Sequence, residues 1–177
     1  REKLKSGKEY YEIRLESIGG LGANLCGKML GELGVKYLDL NSSNFSSYGS
    51  EKTGTPVKGF IRYCNKEKEI RVHSPVTEPD LLVVFHQALL NDESVLSGCK
   101  KDTAIIVALE KGQESVKVSD ERKSDLAEQN SESIGRMGIW YGLEAQRIAM
   151  ETQSRINVVM LGAALKVMGI EDPTVGE

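Results

Sequence analysis

The sequence predicts an α/β domain built on a mostly parallel sheet, and three observations predict it. Tyr11-Glu12-Ile13-Arg14-Leu15 alternates large apolar with charged residues, then runs through a glycine-rich break into residues at helical spacing. Two short, continuous apolar runs rich in β-branched residues, 81–85 and 103–109, have the composition of strands buried on both faces under helices. From Gly142 onward, apolar residues recur at helical period. Strands alternating with helices fold in layers, with parallel crossovers that are right-handed in nearly all cases.

Residues 1–9 are basic and polar without an apolar core, which is not the pattern of a secretory signal, so the expected location is the cytoplasm. After the first strand, Ile18-Gly19-Gly20-Leu21-Gly22 supplies glycines that tolerate backbone angles other residues avoid. A helix is predicted over 23–33, with Leu25, Met29, Leu30 and Leu33 on its buried face. Residues 35–40 read as a second short strand, and 41–55 as a polar loop rich in Ser, Asn and Gly. Residues 57–63 and 69–72 flank the polar turn Asn65-Lys66-Glu67-Lys68, which predicts an antiparallel hairpin at the edge of the sheet.

The apolar runs at 81–85 and 103–109 are expected to anchor the sheet's centre. Residues 110–136 are charged and weakly periodic, with a short helix suggested near 124–132. Two helices then close the chain. The first carries Leu143, Ile148 and Ala149; the second carries Ile156, Val159, Met160, Ala163, Ala164 and Val167, before Pro173 and Gly176 break any continuation. At 177 residues, the whole of 1–177 reads as a single domain around one core.

Composition excludes several function classes. The balance of 23 Lys+Arg against 26 Asp+Glu gives a net charge of −3, so there is no basic field to hold nucleic acid or an anionic membrane. No apolar run approaches the ~18–20 residues that a membrane span needs. Cys26, Cys64 and Cys99 are scattered and odd in number, which fits neither a disulfide framework nor the thiolates of an iron–sulfur cluster. His73 and His86 stand outside any H-x-x-x-H pattern, so no metal site is expected in this chain.

The glycine break invites two nucleotide readings. Gly22-Ala23-Asn24-Leu25-Cys26-Gly27-Lys28-Met29 spells G-x-x-x-x-G-K, but Met29 stands where a phosphate-binding loop needs a magnesium-holding Ser or Thr. The dinucleotide pattern G-x-G-x-x-G would use Gly20, Gly22 and position 25, which is Leu25, with Asp39 as the acidic residue that follows. That pattern supports an alternative from another class, a free-standing Rossmann-type dinucleotide-binding module. On the residues alone, Gly19, Gly20, Gly22 and Asn24 serve equally as a tight strand-to-helix turn or as an anion site built from free N–H groups.

A second segment, Ser46-Ser47-Tyr48-Gly49-Ser50-Glu51-Lys52-Thr53-Gly54-Thr55-Pro56-Val57, crowds aromatic, acidic, basic and hydroxyl groups between glycines. By composition alone it is a solvated surface loop. Four segments in order change that reading: Ile13-Arg14-Leu15 leading into Gly19-Gly20-Leu21-Gly22; Tyr48 through Val57; Pro79-Asp80-Leu81-Leu82-Val83-Val84; and Asn157-Val158-Val159-Met160-Leu161-Gly162-Ala163. Together they resemble the γ subunits of pyruvate and related 2-oxoacid:ferredoxin oxidoreductases. The resemblance spans about residues 12–170.

The resemblance implies a Rossmann-like α/β domain, mostly parallel with an antiparallel edge hairpin, packed against thiamine-binding and ferredoxin-like subunits. It implies a complex of anaerobic metabolism that decarboxylates a 2-oxoacid on thiamine diphosphate, passes electrons through 4Fe-4S clusters to ferredoxin and delivers the acyl group to coenzyme A. Thiamine diphosphate, magnesium and the clusters then belong to partner subunits, and this chain binds no cofactor. Its implied contribution is a loop at the active-site rim and coenzyme A path, Tyr48, Gly49, Glu51, Lys52, Thr53, Gly54 and Pro56, beside the glycine turn Gly19, Gly20, Gly22 and Asn24.

The chain departs from the family pattern in three places. Leu21 stands where a Gln is usual, Lys52 where Arg is common, and His86 where an acidic residue often follows the third segment. A subunit that is normally buried in a complex should also expose apolar residues at the sheet's edge or on its loop faces.

Overall fold

The computed structural model describes residues 8–48, 54–110, 112 and 138–170. The alternating segment forms strand β1 (Tyr11–Ile18), and the glycine break leads into helix α1 (Ala23–Lys36). There follow β2 (Leu40–Tyr48), β3 (Pro56–Asn65), β4 (Leu81–Val84), a 3-10 turn (Gln87–Asn91), the short helix α2 (Glu93–Leu96) and β5 (Ala104–Ala108). The closing elements are β6 (Ile139–Leu143), α3 (Ala145–Glu151) and α4 (Ile156–Val167).

The six strands form one sheet in the order β2-β3-β1-β4-β5-β6. β1 pairs parallel with β4, β4 with β5 and β5 with β6. On the other side, β1 pairs antiparallel with β3 from Tyr11↔Tyr63 to Ile18↔Pro56, and β3 pairs antiparallel with β2. The predicted α/β fold with a mostly parallel sheet and an antiparallel hairpin at its edge is therefore present.

Alternation along the strands sorts residues onto two faces. Ile13 and Leu15 of β1, Ile61 and Tyr63 of β3, and Leu81 and Val83 of β4 form one core with Met160 and Ala164 of α4. Leu82, Val84, Ile105, Val107 and Trp140 face the other way and pack under Leu90, Val95 and Leu96.

Helix α1 meets the first core through small residues. Its buried positions are Ala23, Cys26, Gly27, Leu30, Gly31 and Gly34, so the predicted burial of Leu25 is corrected: it is 49% exposed. Glycine lets the helix lie close to the sheet. A Cβ on Gly27 would meet Leu15 Cδ1 at 3.5 Å, and one on Gly34 would overlap the Tyr63 ring. Gly27, the second glycine of the G-x-x-x-x-G-K pattern, is thus a packing residue facing β1.

Other expectations are corrected too. Residues 35–40 are not a strand, because α1 runs through Lys36 and β2 begins at Leu40. The segment read as polar loop is largely β2, and β2, not residues 69–72, is the hairpin partner of β3, from Leu40↔Asn65 to Tyr48↔Val57. A sheet edge needs little apolar surface, and its Ser and Asn side chains hid the strand. β6 was missed, and Leu143 lies in it instead of in the closing helices. The sheet centre is β1 with β4, while β5 lies one strand from the β6 edge. The helix suggested near 124–132 lies outside the described residues.

On the face opposite α1, β1 carries a buried ionic pair. Arg14 is 4% exposed and Glu16 3%. The Arg14 guanidinium donates to the carbonyls of Val76 at 3.2 Å, Thr77 at 3.3 Å, and Val95 and Ser97 at 2.8 Å each. Glu16 Oε1 lies 3.2 Å from Arg14 Nε. Beside it, Arg62 of β3 bonds Glu12 at 2.8 Å and the Ser74 carbonyl at 2.7 Å. Arg14→Met should cost about 3–5 kcal/mol, the range for breaking a buried ionic cluster from one side. Urea unfolding measures it, and a midpoint equal to wild type would show that these carbonyls do not depend on Arg14.

Candidate functional site at the carboxyl edge of the sheet

The parallel strands β1, β4, β5 and β6 end at the same edge, where ligands of open α/β sheets are held. After Ile18 the chain must reverse direction within a few residues to place α1 on the sheet. Gly20 (φ 99°) and Gly22 (φ 80°) take the positive backbone angles this needs. A Cβ at Gly20 would meet nothing within 4 Å, so the turn's outer side is open. Asn24 lies exposed in the first turn of α1.

The β2–β3 connection arrives at this edge as well. Ile18 pairs with Pro56 as the last rung of the β1–β3 ladder, and the Gly19 N–H donates to the Thr55 carbonyl at 2.9 Å. The structure therefore brings Gly19, Gly20, Gly22, Gly54 and Pro56 to one edge. Gly54 is exposed with φ 89°, Pro56 opens β3, and Tyr48 ends β2 opposite Val57. Gly49, Glu51, Lys52 and Thr53 lie outside the described residues.

Three polar residues near this edge were not read from the sequence as site residues. Asn157, the second residue of α4, is 3% exposed and packs on Gly22: its Cβ, Cγ and Nδ2 each lie 3.0 Å from where a Gly22 Cβ would stand. A polar residue inside an apolar helical period was the available signal. His86 follows β4, and its Nδ1 accepts the Ala88 N–H at 3.1 Å, capping the 3-10 turn. Glu144, 6% exposed at the start of α3, pairs with Arg147 and accepts the Gly112 N–H. Its position at a strand-to-helix junction is the only hint the sequence offers.

The thiols are separated by the sheet. Cys26 lies in the core under α1, and burial pushes it up to about 12; Cys99 lies in the opposite core, pushed up to about 11 mainly by burial. Thiols on opposite faces cannot ligate one cluster. Among the described residues, no group of three or more His, Cys, Asp or Glu could hold a metal ion, and no helix is long and apolar enough to cross a membrane.

The dinucleotide reading meets a topological obstacle. Asp39 immediately precedes β2, which runs parallel to β1, so it lies at the amino edge, where it pairs with Lys66. The glycine turn is at the opposite edge. A shallow groove between α1 and β2, lined by Lys28, Glu32, Lys36, Ser42 and Asn44 among others, likewise lies along the side of the sheet.

The family model for pyruvate ferredoxin/flavodoxin oxidoreductase matches residues 12–176. The chain belongs to that family. The common γ subunit of the pyruvate/ketoisovalerate oxidoreductases of Pyrococcus abyssi is 32% identical over 164 residues, covering 90% of this chain and 78% of the relative. Pyruvate synthase subunit PorC of Thermotoga maritima is 32% identical over 168 residues, covering 92% and 77%. The crystal structure of the pyruvate oxidoreductase subunit PORC from T. maritima superposes with a TM-score of 0.70 at 25% identity, over 93% of this chain and 80% of that one. The resemblance read from the four segments is thus borne out for the γ-type family and its fold.

The glycine turn makes a discriminating prediction. Gly20→Ala and Gly22→Ala each force a side chain into a left-handed conformation that costs about 1–2 kcal/mol, but only at Gly22 does the new Cβ meet a neighbour. Gly22→Ala should therefore lower the urea midpoint more than Gly20→Ala. Equal shifts would mean that Asn157 gives way without cost.

Proposed function

We propose that this chain is the γ-type subunit, or the equivalent part of a longer fused chain, of a thiamine diphosphate-dependent 2-oxoacid:ferredoxin oxidoreductase. The reaction of the complex is 2-oxoacid, coenzyme A and oxidised ferredoxin giving acyl-coenzyme A, carbon dioxide and reduced ferredoxin. Thiamine diphosphate, magnesium and 4Fe-4S clusters are held by thiamine-binding and ferredoxin-like partner subunits, in the cytoplasm. This chain contributes the rim of the active site.

The observation that carries this reading is the junction of Gly19 with Thr55, which joins the glycine turn and the 48–56 connection at one edge. Two segments about thirty residues apart in sequence thereby meet at one edge, which supports their sharing a rim. Membership of a family whose similar relatives are γ subunits supplies the chemistry. Within the connection, a Lys52 ammonium attracts phosphate and a Thr53 hydroxyl can bond it, as coenzyme A would require.

The surface supports a chain that docks. Leu25, Val35 and Tyr37, on and just beyond α1, are 49%, 56% and 76% exposed, and Met150 and Val158 are 74% and 47% exposed. The sequence placed such residues at the sheet edge or on loop faces. Ile139 fits that, being 38% exposed on edge strand β6, whereas the others lie in the helical layer.

In the reconstituted complex, Lys52→Ala with Thr53→Ala should raise the Michaelis constant for coenzyme A about tenfold, the loss of roughly one charge-assisted contact, with the melting temperature of the chain unchanged. If coenzyme A is not used, the 2-oxoacid constant rises instead. Wild-type values for both would remove the loop from the site. Purified alone, the chain should be colourless and without oxidoreductase activity, and a brown, cluster-bearing preparation would overturn the assignment.

A further inference from the structure

We propose that the outer edge of β2, with the flank of α1 beside it, is the surface on which a second copy of this chain docks, β2 pairing antiparallel with β2 about a twofold axis at Asn44. The surface lies along the side of the sheet, away from the carboxyl edge, and the inference does not depend on the reading above.

β2 ends the sheet, and no strand among the described residues pairs with its outer side. It is the longer of the two edge strands, nine residues against five in β6. Folded chains ordinarily guard such an edge with charge, proline or a bulge, because its free N–H and C=O groups otherwise invite another strand. β2 reads Leu-Asn-Ser-Ser-Asn-Phe-Ser-Ser-Tyr, with neither a charged residue nor a proline. It also pairs with β3 rung for rung from Leu40 to Tyr48, without a bulge. The edge is open to pairing along its whole length.

The strand is matched to itself. Asn44 is its central residue, so an antiparallel copy centred there sets Asn44 against Asn44, Ser42 against Ser46 and Leu40 against Tyr48, and no charge meets a like charge. Ser42, Asn44 and Ser46 share the face that α1 covers, since strand residues alternate and both Ser42 and Asn44 lie against Gly31. The Ser42 hydroxyl is buried there without a hydrogen-bond partner. The Ser46 hydroxyl of the second copy stands opposite it in this pairing and supplies one.

The helices then fall into register. Near its middle, α1 lies over β2 and β3, with Gly31 against Asn44 and Gly34 against Ser42 and Tyr63. A helix seated between two strands lies half a strand spacing inside β2, and the twofold axis lies half a spacing outside it. At about 4.8 Å between strands, the two copies of α1 run about 10 Å apart, within the usual packing distance of helices. The axis passes α1 at the level of Gly31, and Lys28, Glu32 and Val35 line the groove on that flank. Antiparallel helices crossing at that level bring Lys28 of each copy to Glu32 of the other, so symmetry makes the opposite-charge pair twice. Val35, 56% exposed in the single chain, is covered.

Sedimentation equilibrium of the full chain up to millimolar concentration should show a reversible dimer. Lys28→Glu and Glu32→Lys each set like charges against each other across the axis and should weaken self-association about tenfold. Mixed in equal amounts, the two variants face each other with opposite charges and should form a heterodimer as tight as the wild-type dimer, which no effect within one chain can produce. Cys26, Cys64 and Cys99 are buried, so an added thiol can be read alone. A short bismaleimide should join Asn44→Cys to its copy and leave Tyr37→Cys, which lies away from the axis, as single chains.

A chain that remains monomeric at millimolar concentration overturns the proposal. So does a dimer that Asn44→Cys fails to cross-link or whose variants do not recover on mixing, because that dimer uses another surface. β2 amides that gain protection from hydrogen exchange only when other subunits are added assign the edge to a different chain, which also overturns it.

Discussion

The buried guanidinium of Arg14 is the constraint on which the architecture depends. Stripping water from this group is expensive, and the fold offsets the cost with four backbone carbonyls drawn from two separate segments and with the Glu16 carboxylate. β1 is thereby tied to the chain at 76–77 before β4 and at 95–97, the end of α2. Glu16 shows the same tension: burial pushes its carboxyl above the usual range, against the opposing pull of Lys58 and Arg14. A raised folded-state value means that the folded chain binds this proton more tightly than the unfolded one. Stability from this source is present below the ordinary Glu value and is lost as pH rises through the raised one. With β1 fixed, the point where Ile18 ends and the glycine turn begins is fixed too.

The opposite face is organised by removal of side chains. Glycine within a helix costs roughly 1 kcal/mol relative to alanine, and α1 carries Gly27, Gly31 and Gly34 along the stripe that faces the sheet. What offsets the cost at two of them is proximity: Asn44 lies against Gly31 and the Tyr63 ring against Gly34. The Tyr63 hydroxyl then reaches the Leu30 carbonyl on α1. With the buried stripe so narrow, the apolar residues Leu25 and Val35 are left pointing outward. Helix position and outer surface are two results of one packing choice.

The same choice decides what the sequence could reveal. Apolar periodicity finds helices by large side chains, so it located α1 correctly and assigned Leu25 to the wrong face, because the true stripe is made of glycine. Alternation finds strands by apolar residues, so β1, β4 and β5 were legible, and β2, with Ser42, Ser43 and Asn44 at its middle, was read as loop. The glycine turn was legible because φ above zero has few residues to serve it. Arg14 and Asn157 stood in the segments that carried the family resemblance, but neither role was visible. Arg14 acts on backbone carbonyls, which leave no trace in side-chain patterns, and Asn157 is defined by a neighbour, Gly22, that lies more than a hundred residues away.

Strand order also separates the glycine turn from Asp39, the acidic residue of the dinucleotide pattern. In a simple βαβ unit the second strand lies beside the first, so that a carboxylate following the second strand can reach a ligand seated on the first turn. Here the antiparallel β3 is interposed between β1 and β2, which moves β2 about 10 Å from β1 at the usual interstrand spacing. Asp39 is further removed, because it precedes β2 instead of following it. What stands next to the turn is the start of β3, and the Thr55 carbonyl there occupies the Gly19 N–H. Interposing β3 thus separates the glycine turn from the acidic residue that the dinucleotide pattern would pair with it, and puts the start of an antiparallel strand beside the turn instead.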